Sequence, residues 1–390
     1  LIYRCVMKRD IIFFVSNIVA LFTITGIIIG FSPKLSADIT GLIKSVDKIS
    51  RPYSEIKETS SQISLIISGD DADNNNTAQE EVQDVMHSIT PEDSSGDTDL
   101  TAIPADIQEL MAEAEKSIET EKVKGKTSED NYTGGGAIVT FGNVQVQSKI
   151  PDSFYNLDIE NLLKQKASLE IKDISKPTIL IYHSHTTECF TLLDVGYYTE
   201  STDLKTKDID RNMVRVGDEI CKVLESKGFK VIHDTEIHDL SYNEAYNSSR
   251  KSVSEYLEQY PSIEITIDVH RDSITYKDGT KVKPTAEVNG KKAARMMIIS
   301  GCEYGSISNY PNWEYNLRFS TAVTNAVNER YPNLMRPILF SERKYNLDLT
   351  KNSFLLEIGT EGNTLDEACY SGRLFADALA ELLLKDYVKE

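Results

Sequence analysis

Paired cysteines and clustered basic residues are both missing from this sequence of 390 residues. The five cysteines have no regular close spacing and form no CxxC pair, so a disulfide framework is not indicated. Acidic side chains number 61 against 42 lysines and arginines, and the formal net charge is −19 at pH 7. Because contacts to phosphate groups require clustered lysine and arginine, this composition argues against nucleic-acid binding.

Histidine is also scarce, and two of the six histidines fall in one short segment, YHSHTTE at residues 182–188. The segment follows the apolar run TILI at residues 178–181. One interpretation is a polar turn in which each imidazole bonds to the neighbouring backbone. The other is a metal site at the end of a buried strand.

The N-terminal region contains a long uncharged stretch. Residues 11–31 carry no charged side chain over twenty-one positions, enough for a helix to cross a hydrocarbon layer about 30 Å thick. Three basic residues precede it within residues 1–10, so the positive-inside rule predicts a cytoplasmic tail followed by an anchor. The stretch is longer than the apolar part of a signal peptide and lacks an A-x-A site, which indicates an uncleaved single-pass anchor with the remaining chain outside.

Residues 32–135 are predicted to form a juxtamembrane region and an acidic linker. Residues 70–130 contain eighteen Asp and Glu against four Lys and no Arg. Such a segment buries too little apolar surface to offset its ordering entropy, so we expect it to be mostly disordered. As a flexible linker it would let the following domain extend away from the anchor. A short helix is predicted at residues 107–118 within it.

Residues 140–390 predict an α/β domain with a largely parallel sheet flanked by helices, because strand-like and helix-like segments alternate. Capping boxes at Ser241 with Glu244 and at Thr364 with Glu367 support two of the helix starts. The predicted strands cover residues 178–182, 229–233, 263–269, 295–300, 337–340 and 354–358. The predicted helices cover residues 212–227, 242–260, 313–330 and 365–384.

Polar side chains follow three of these strands at their carboxyl ends, where ligands collect in α/β sheets. If the strands are neighbours, imidazoles and carboxylates converge at one edge and supply the ligands that Zn²⁺ prefers. Glu188 is close enough in sequence to His185 to be a ligand, whereas Glu357 comes from another strand and could carry a proton to a leaving nitrogen. The other polar residues at these ends are His183, Asp268, His270, Arg271 and Asp272.

Four segments resemble the stage II sporulation protein P family of endospore-forming bacteria. They are YHSHTTE, SYNEAYNSSRKSV at residues 241–253, DVHRDS at 268–273 and LLEIGTEGNTLDEA at 355–368. The motifs cover about residues 140–390, and the anchor and linker also fit. That family is similar to the zinc-dependent N-acetylmuramoyl-L-alanine amidases, which have an α/β sandwich fold. The resemblance implies cleavage of the amide that joins the stem peptide of peptidoglycan to muramic acid, and also of peptide cross-links.

The resemblance also implies roles for individual residues, since those amidases hold zinc with two histidines and a glutamate and use a second glutamate in catalysis. His270 matches the later histidine ligand, and Glu357 matches the catalytic glutamate. His185 lies nearest to the position of the first histidine ligand. His183 is then a residue that supports the metal site or touches substrate, although either histidine could be the ligand. Arg271 is assigned to substrate binding.

The glutamate ligand has two candidate positions. Glu188 is the glutamate inside the family-like motif, and we assign the role to it. The wider amidases place their glutamate at the start of the following helix, where this chain has Asp208 and Asp210. Cys189 next to Glu188 could form a nucleophile pair with histidine, but no third orienting group is evident.

The resemblance implies a place of action and partners as well. It places the enzyme on the outer face of the membrane, in the septum between mother cell and forespore during engulfment, with stage II sporulation proteins D and M as partners. The alternatives are a non-catalytic scaffold that binds septal wall and a metallocarboxypeptidase of unrelated substrate. The presence of both His270 and Glu357 in their motifs favours the enzyme.

Overall fold

The computed structural model describes residues 99–132, 135–202 and 204–389. The predicted cytoplasmic tail, the anchor at residues 11–31 and most of the predicted linker lie outside these ranges. Within the described ranges, none of the helices combines the length and the apolar character needed to span a membrane.

An eight-stranded sheet forms the centre of the described residues. Five pairs of neighbouring strands are parallel. The other two pairs, residues 138–141 with 144–148 and residues 296–301 with 353–360, are antiparallel. The prediction of a largely parallel sheet is therefore corrected to a mixed sheet. In spatial order the strands are β2 (Ile138–Phe141), β3 (Val144–Ser148), β12 (Ile338–Ser341), β11 (Met296–Gly301), β13 (Ser353–Thr360), β7 (Ile265–Asp272), β4 (Pro177–Tyr182) and β6 (Lys230–His233).

The connection between β12 and β13 explains why the sheet is mixed. Parallel strands usually need a crossover helix between them, and α5 (Trp313–Arg330) supplies one between β11 and β12. Residues 342–352, which join β12 to β13, contain no helix, and β13 returns antiparallel to β11. Two smaller sheets complete the strands of the described residues. One is the antiparallel hairpin of β9 (Thr285–Val288) and β10 (Lys291–Ala294), and in the other β1 (Val123–Glu129) pairs antiparallel with β5 (Tyr197–Thr199) and parallel with β8 (Lys281–Lys283).

The predicted helices are all present, with small shifts at their ends. Helix α6 (Leu365–Asp386) is buried along most of its length and packs against α3 (Met213–Ser226) and α5. Its capping box between Thr364 and Glu367 is formed, whereas Ser241 makes no capping bond because residues Tyr242–Glu244 form a 3₁₀ turn. The helices are α1 (Ala105–Ile118), α2 (Ile159–Lys164), α3 (Met213–Ser226), α4 (Ala245–Gln259), α5 (Trp313–Arg330) and α6 (Leu365–Asp386).

The described end of the predicted linker is folded, which corrects the expectation of disorder for residues 99–130. The helix predicted at residues 107–118 is confirmed as α1, and Ile107 is fully buried in the core. Asp106 forms an ion pair with Arg215 at 2.7 Å, and Glu129 of β1 forms one with Lys292. A count of acidic residues misses these partners because they lie more than a hundred positions away in sequence.

The ends of β4, β7 and β13 define where a site can form. The three strands are adjacent and mutually parallel, so their carboxyl ends meet at one edge of the sheet. Tyr182 pairs in register with Asp268, and His270 pairs with Glu357. The three polar strand ends recognised in the sequence are therefore neighbours in space.

Candidate metal centre

His185, Glu188 and His270 form a compact group at this edge. Their candidate ligand atoms all lie within 4.8 Å of one another. Each imidazole places its Nδ1 atom 3.7 Å from an oxygen of Glu188, which lies between the two rings. Ligands bound to Zn²⁺ at about 2.1 Å with tetrahedral angles lie about 3.4 Å apart, so the observed spacing fits such an ion.

The turn after β4 brings His185 and Glu188 to the same side. The backbone N–H of Glu188 donates to the carbonyl of His185 at 3.2 Å, which closes the turn. Thr187 anchors it through its backbone N–H and its hydroxyl, which both donate to the carboxylate of Asp239. Because Asp239 holds the turn, the side chains of His185 and Glu188 project together beyond the end of β4.

His270 is oriented by a buried carboxylate. Its Nε2 atom lies 2.8 Å from Asp268 and 2.8 Å from the hydroxyl of Ser184, which leaves Nδ1 to face Glu188. Burial disfavours a charged ring, but the Asp268 carboxylate outweighs it and raises the pKa of His270 to about 9. A carboxylate on the far nitrogen is the usual support for a histidine that binds a metal, since it fixes the ring orientation and increases its basicity.

Two further features fit a cation at this position. The Nε2 atom of His185 is buried and has no hydrogen-bond partner among the described residues, so this nitrogen as well as Nδ1 is available as a ligand atom. Although burial opposes ionisation, the adjacent rings of His185 and His270 lower the pKa of Glu188, so its carboxylate is charged. An anionic oxygen between two imidazoles is the donor set that zinc sites use.

Glu357 lies beside this group without belonging to it. It sits on β13 opposite His270, and its Oε2 atom is buried with no hydrogen-bond partner among the described residues. Burial, reinforced by the nearby carboxylate of Asp272, raises the pKa of Glu357 to about 8. Asp272 itself is paired with Arg336 at 2.9 Å. A carboxyl group that gains and loses a proton near neutral pH is suited to general acid and base catalysis.

His183 points away from the ligand group, into the interior. Its Nδ1 atom donates to the carbonyl of Val269 at 2.8 Å, and its Nε2 atom lies 2.9 Å from Nε2 of His233, which also bonds to Asp218. Burial lowers the pKa of His183 to about 3, so the ring is neutral and accepts from His233. Both nitrogens are occupied, and of the two candidate histidines the structure brings only His185 to the group.

The alternative acidic ligands lie elsewhere. Asp208 and Asp210 are exposed and do not belong to the ligand group, whereas Glu188 does. A second group of potential ligands, Asp234, Glu236 and His238, is a hydrogen-bonded network. Both nitrogens of His238 are already bonded, one to Asp234 and one to the hydroxyl of Ser248.

Arg271 is bonded to the backbone within the protein, and its predicted substrate contact stays a prediction. Its side chain is buried, and its guanidinium donates to the carbonyls of Cys189 at 2.6 Å and Leu204 at 2.7 Å. These bonds tie together the two segments that follow the ligand Glu188. The sequence places Arg271 next to His270 but gives no information on where its guanidinium points.

Two tyrosines at the site were missed by the sequence reasoning. The ring of Tyr242 stacks on His185 with 4.8 Å between centroids, and the ring of Tyr246 lies 5.4 Å from it. Both belong to the segment SYNEAYNSSRKSV, four positions apart. That spacing was the available signal, because residues four apart share a face of a helix.

Sequence comparison supplies the family. Residues 54–380 match the model of the stage II sporulation protein P family. The chain belongs to this family. The stage II sporulation protein P of Bacillus subtilis (strain 168) is 30% identical over 220 aligned residues, and the match covers 53% of this chain and 51% of that protein. The chain therefore spans about half the length of this curated relative.

Solved structures similar to part of the chain include two amidases and a carboxypeptidase. An N-acetylmuramoyl-L-alanine amidase of Nostoc punctiforme covers 53% of this chain and 96% of its own, with 13% identity and a TM-score of 0.33. The CwlD amidase from Clostridioides difficile, in complex with the GerS lipoprotein, covers 54% and 100%, with 11% identity and a TM-score of 0.35. A metallo-carboxypeptidase from Burkholderia cenocepacia covers 53% and 57%, with 10% identity and a TM-score of 0.30.

The two carbonyl bonds of Arg271 predict that Arg271→Lys lowers the free energy of unfolding by about 1–3 kcal/mol, because one ammonium cannot reach both carbonyls. Urea denaturation followed by circular dichroism measures this. Lys207→Arg, at an exposed position in the same region, is the control and should be neutral. Unchanged stability together with a raised KM would instead identify Arg271 as a substrate contact.

Proposed function

We propose that this chain is a zinc-dependent peptidoglycan hydrolase that cleaves the amide between muramic acid and the L-alanine of the stem peptide. The observation that carries the proposal is the gathering of His185, Glu188 and His270 at one sheet edge, with the buried Oε2 atom of Glu357 alongside. These three residues would hold the ion. When bound, zinc polarises an amide carbonyl and lowers the pKa of water.

Glu357 carries out the proton transfers in this proposal. Amide hydrolysis needs a base that takes a proton from the attacking water and an acid that protonates the leaving nitrogen, since an amide anion is a very poor leaving group. One carboxyl group can perform both steps in sequence. The raised pKa of Glu357, about 8, allows it to hold the proton between the two steps at neutral pH.

Asp268 and Ser184 prepare the site for this chemistry. Both are fully buried, and together they fix the far nitrogen of His270. The backbone N–H and hydroxyl of Ser184 also donate to Asp268, so the buried carboxylate is hydrogen-bonded on both oxygens. The His270 ring is thus oriented before substrate arrives, which reduces the reorganisation needed during the reaction.

Family membership supports peptidoglycan as the substrate and sporulation as the setting. The same chemistry can hydrolyse peptide cross-links, because these are also amides. We further propose that residues 11–31 anchor the chain with its catalytic domain outside the membrane, at the septum during engulfment, where stage II sporulation proteins D and M are its partners. A wall-binding scaffold would have no use for a proton-holding glutamate beside three potential ligands.

The ligand assignment predicts that His185→Ala and His270→Ala each abolish zinc binding. His183→Ala is the matched control, because it removes an imidazole two positions from His185 but should leave the zinc content close to one ion per chain. It should lower stability by about 1–3 kcal/mol, since the Val269 carbonyl and His233 each lose a partner. Zinc content is measured by mass spectrometry on protein whose fold is checked by circular dichroism. Stoichiometric zinc in either ligand variant contradicts the assignment.

The role of Glu357 predicts that Glu357→Gln retains zinc and sacculus binding but hydrolyses sacculi about 10²- to 10⁴-fold more slowly. Glutamine has nearly the same size but cannot carry a proton, and general acid and base groups typically contribute this factor. Separating the released products by liquid chromatography and mass spectrometry measures the rate and identifies the bond. Intact stem peptides with a free L-alanine amine support an amidase, whereas release of terminal amino acids alone indicates a carboxypeptidase. Loss of zinc in this variant would make Glu357 a ligand.

A further inference from the structure

Three tyrosines line one side of the metal centre. Tyr242, Tyr246 and Tyr345, which we call the aromatic wall, are linked by ring contacts to the ligand His185. Tyr242 stacks on the His185 ring at an interplanar angle of 24°, and Tyr246 stacks on Tyr345 with 4.9 Å between centroids and an angle of 13°. Tyr242 is 65% exposed, an unusual position for a large ring next to a buried ligand.

The segment SYNEAYNSSRKSV has no role in the proposed proton transfers, but it builds this wall. It supplies Tyr242 and Tyr246, and it fixes the loop that carries Tyr345. The side-chain amide of Asn346 donates to the carbonyl of Tyr246 and to the hydroxyl of Ser249. Arg250 forms two hydrogen bonds of 2.8 Å with the carboxylate of Asp348. Helix α4 and the loop at residues 342–352 are therefore joined at two positions that directly follow Tyr345.

The backbone of Tyr345 is strained. Its φ angle is +44°, and the next residue, Asn346, has a φ of +61°. Asparagine adopts the left-handed region at modest cost, but a bulky aromatic residue there is an outlier. Strained residues of this kind concentrate at ligand-binding sites, where the conformation serves function at the expense of stability. The ring of this strained residue is the one that stacks on Tyr246.

We propose that the aromatic wall is the subsite for the muramic acid ring next to the scissile amide, an inference that rests on the proposed function. In that substrate a short lactyl ether joins the amide carbonyl to a pyranose, so a sugar ring must lie close to the metal centre. The wall begins at His185 itself and therefore lies within this reach. A pyranose presents C–H groups on its faces and polar groups at its rim, which suits an aromatic surface with a few fixed polar groups.

A fixed cation over the ring of Tyr242 could serve the polar rim of the sugar. The ammonium of Lys205 lies 5.1 Å from the centroid of Tyr242 and is held by Asp239 at 3.1 Å. It can donate to a hydroxyl or acetamido oxygen. A subsite for the acidic stem peptide would depend mainly on unpaired cations, whereas Lys205 already has a carboxylate partner. The rings, rather than the charges, dominate this side of the centre.

Binding measurements on the full chain test the proposal. Each variant is made in the Glu357→Gln background to prevent turnover and is titrated with peptide-free glycan strands and, separately, with free stem peptides. Tyr242→Ala and Tyr345→Asn should each weaken glycan-strand binding about tenfold and retain zinc. Phe141→Ala is the matched control, because this ring is 42% exposed on β2, at the opposite end of the sheet, and its loss should change nothing.

Thermal unfolding separates a binding role from a packing role for Tyr345. Because asparagine tolerates a positive φ, Tyr345→Asn should keep or raise the melting temperature while glycan binding falls. Tyr345→Phe should keep both the strain and the binding. A lowered melting temperature with unchanged glycan affinity would mean that the ring serves packing and would overturn the proposal. Weaker stem-peptide binding with unchanged glycan affinity would overturn it in favour of a peptide subsite.

Failure of this proposal and failure of the proposed function give different results. If both tyrosine variants bind glycan strands normally while the wild-type chain releases stem peptides, the subsite is wrong and the hydrolase stands. If the wild-type chain releases no stem peptide while both tyrosine variants bind glycan strands more weakly than it does, the wall binds sugar and the proposed reaction is wrong.

Discussion

The parallel pairing of β7 with β4 on one side and β13 on the other is the constraint on which the candidate site depends. It sets Tyr182 opposite Asp268 and Glu357 opposite His270. Side chains alternate between the two faces of a strand, so a slip of one residue in either pairing would turn a needed side chain to the wrong face. The strand register therefore fixes the relative positions of Asp268, His270 and Glu357. His185 and Glu188 lie on the turn that follows β4.

Charge compensation allows so many ionisable groups to gather in a buried place. Asp268 is fully buried but is hydrogen-bonded to Ser184 and His270. The guanidinium of Arg271 donates hydrogen bonds to backbone carbonyls. The rings around Glu188 stabilise its charge, whereas burial favours the proton on Glu357. Two carboxyl groups a short distance apart thus have opposite tendencies, one to bind a cation and the other to carry a proton. Environments that separate pKa values in this way are a mark of acid and base assignments.

Much of the fold and the set of polar strand ends could be predicted from sequence, because buried strands and amphipathic helices leave periodic apolar patterns. The choice between His183 and His185 could not, since both follow β4 and only the turn geometry shows which ring faces Glu188. The folded state of α1 and β1 depends on distant partners such as Arg215 and Lys292, which composition does not reveal. The direction of β13 depends on a connection without a helix, a feature that local patterns record poorly.

The central claim is that two imidazoles and one carboxylate of this chain hold a zinc ion, and X-ray absorption at the zinc edge tests it most directly. Full-length protein loaded with one equivalent of Zn²⁺ should show only nitrogen and oxygen neighbours at about 2.0–2.2 Å, with the outer-shell scattering of two imidazole rings. A sulfur neighbour at about 2.3 Å, which would place Cys189 at the metal, or the scattering of a single imidazole, would contradict the account.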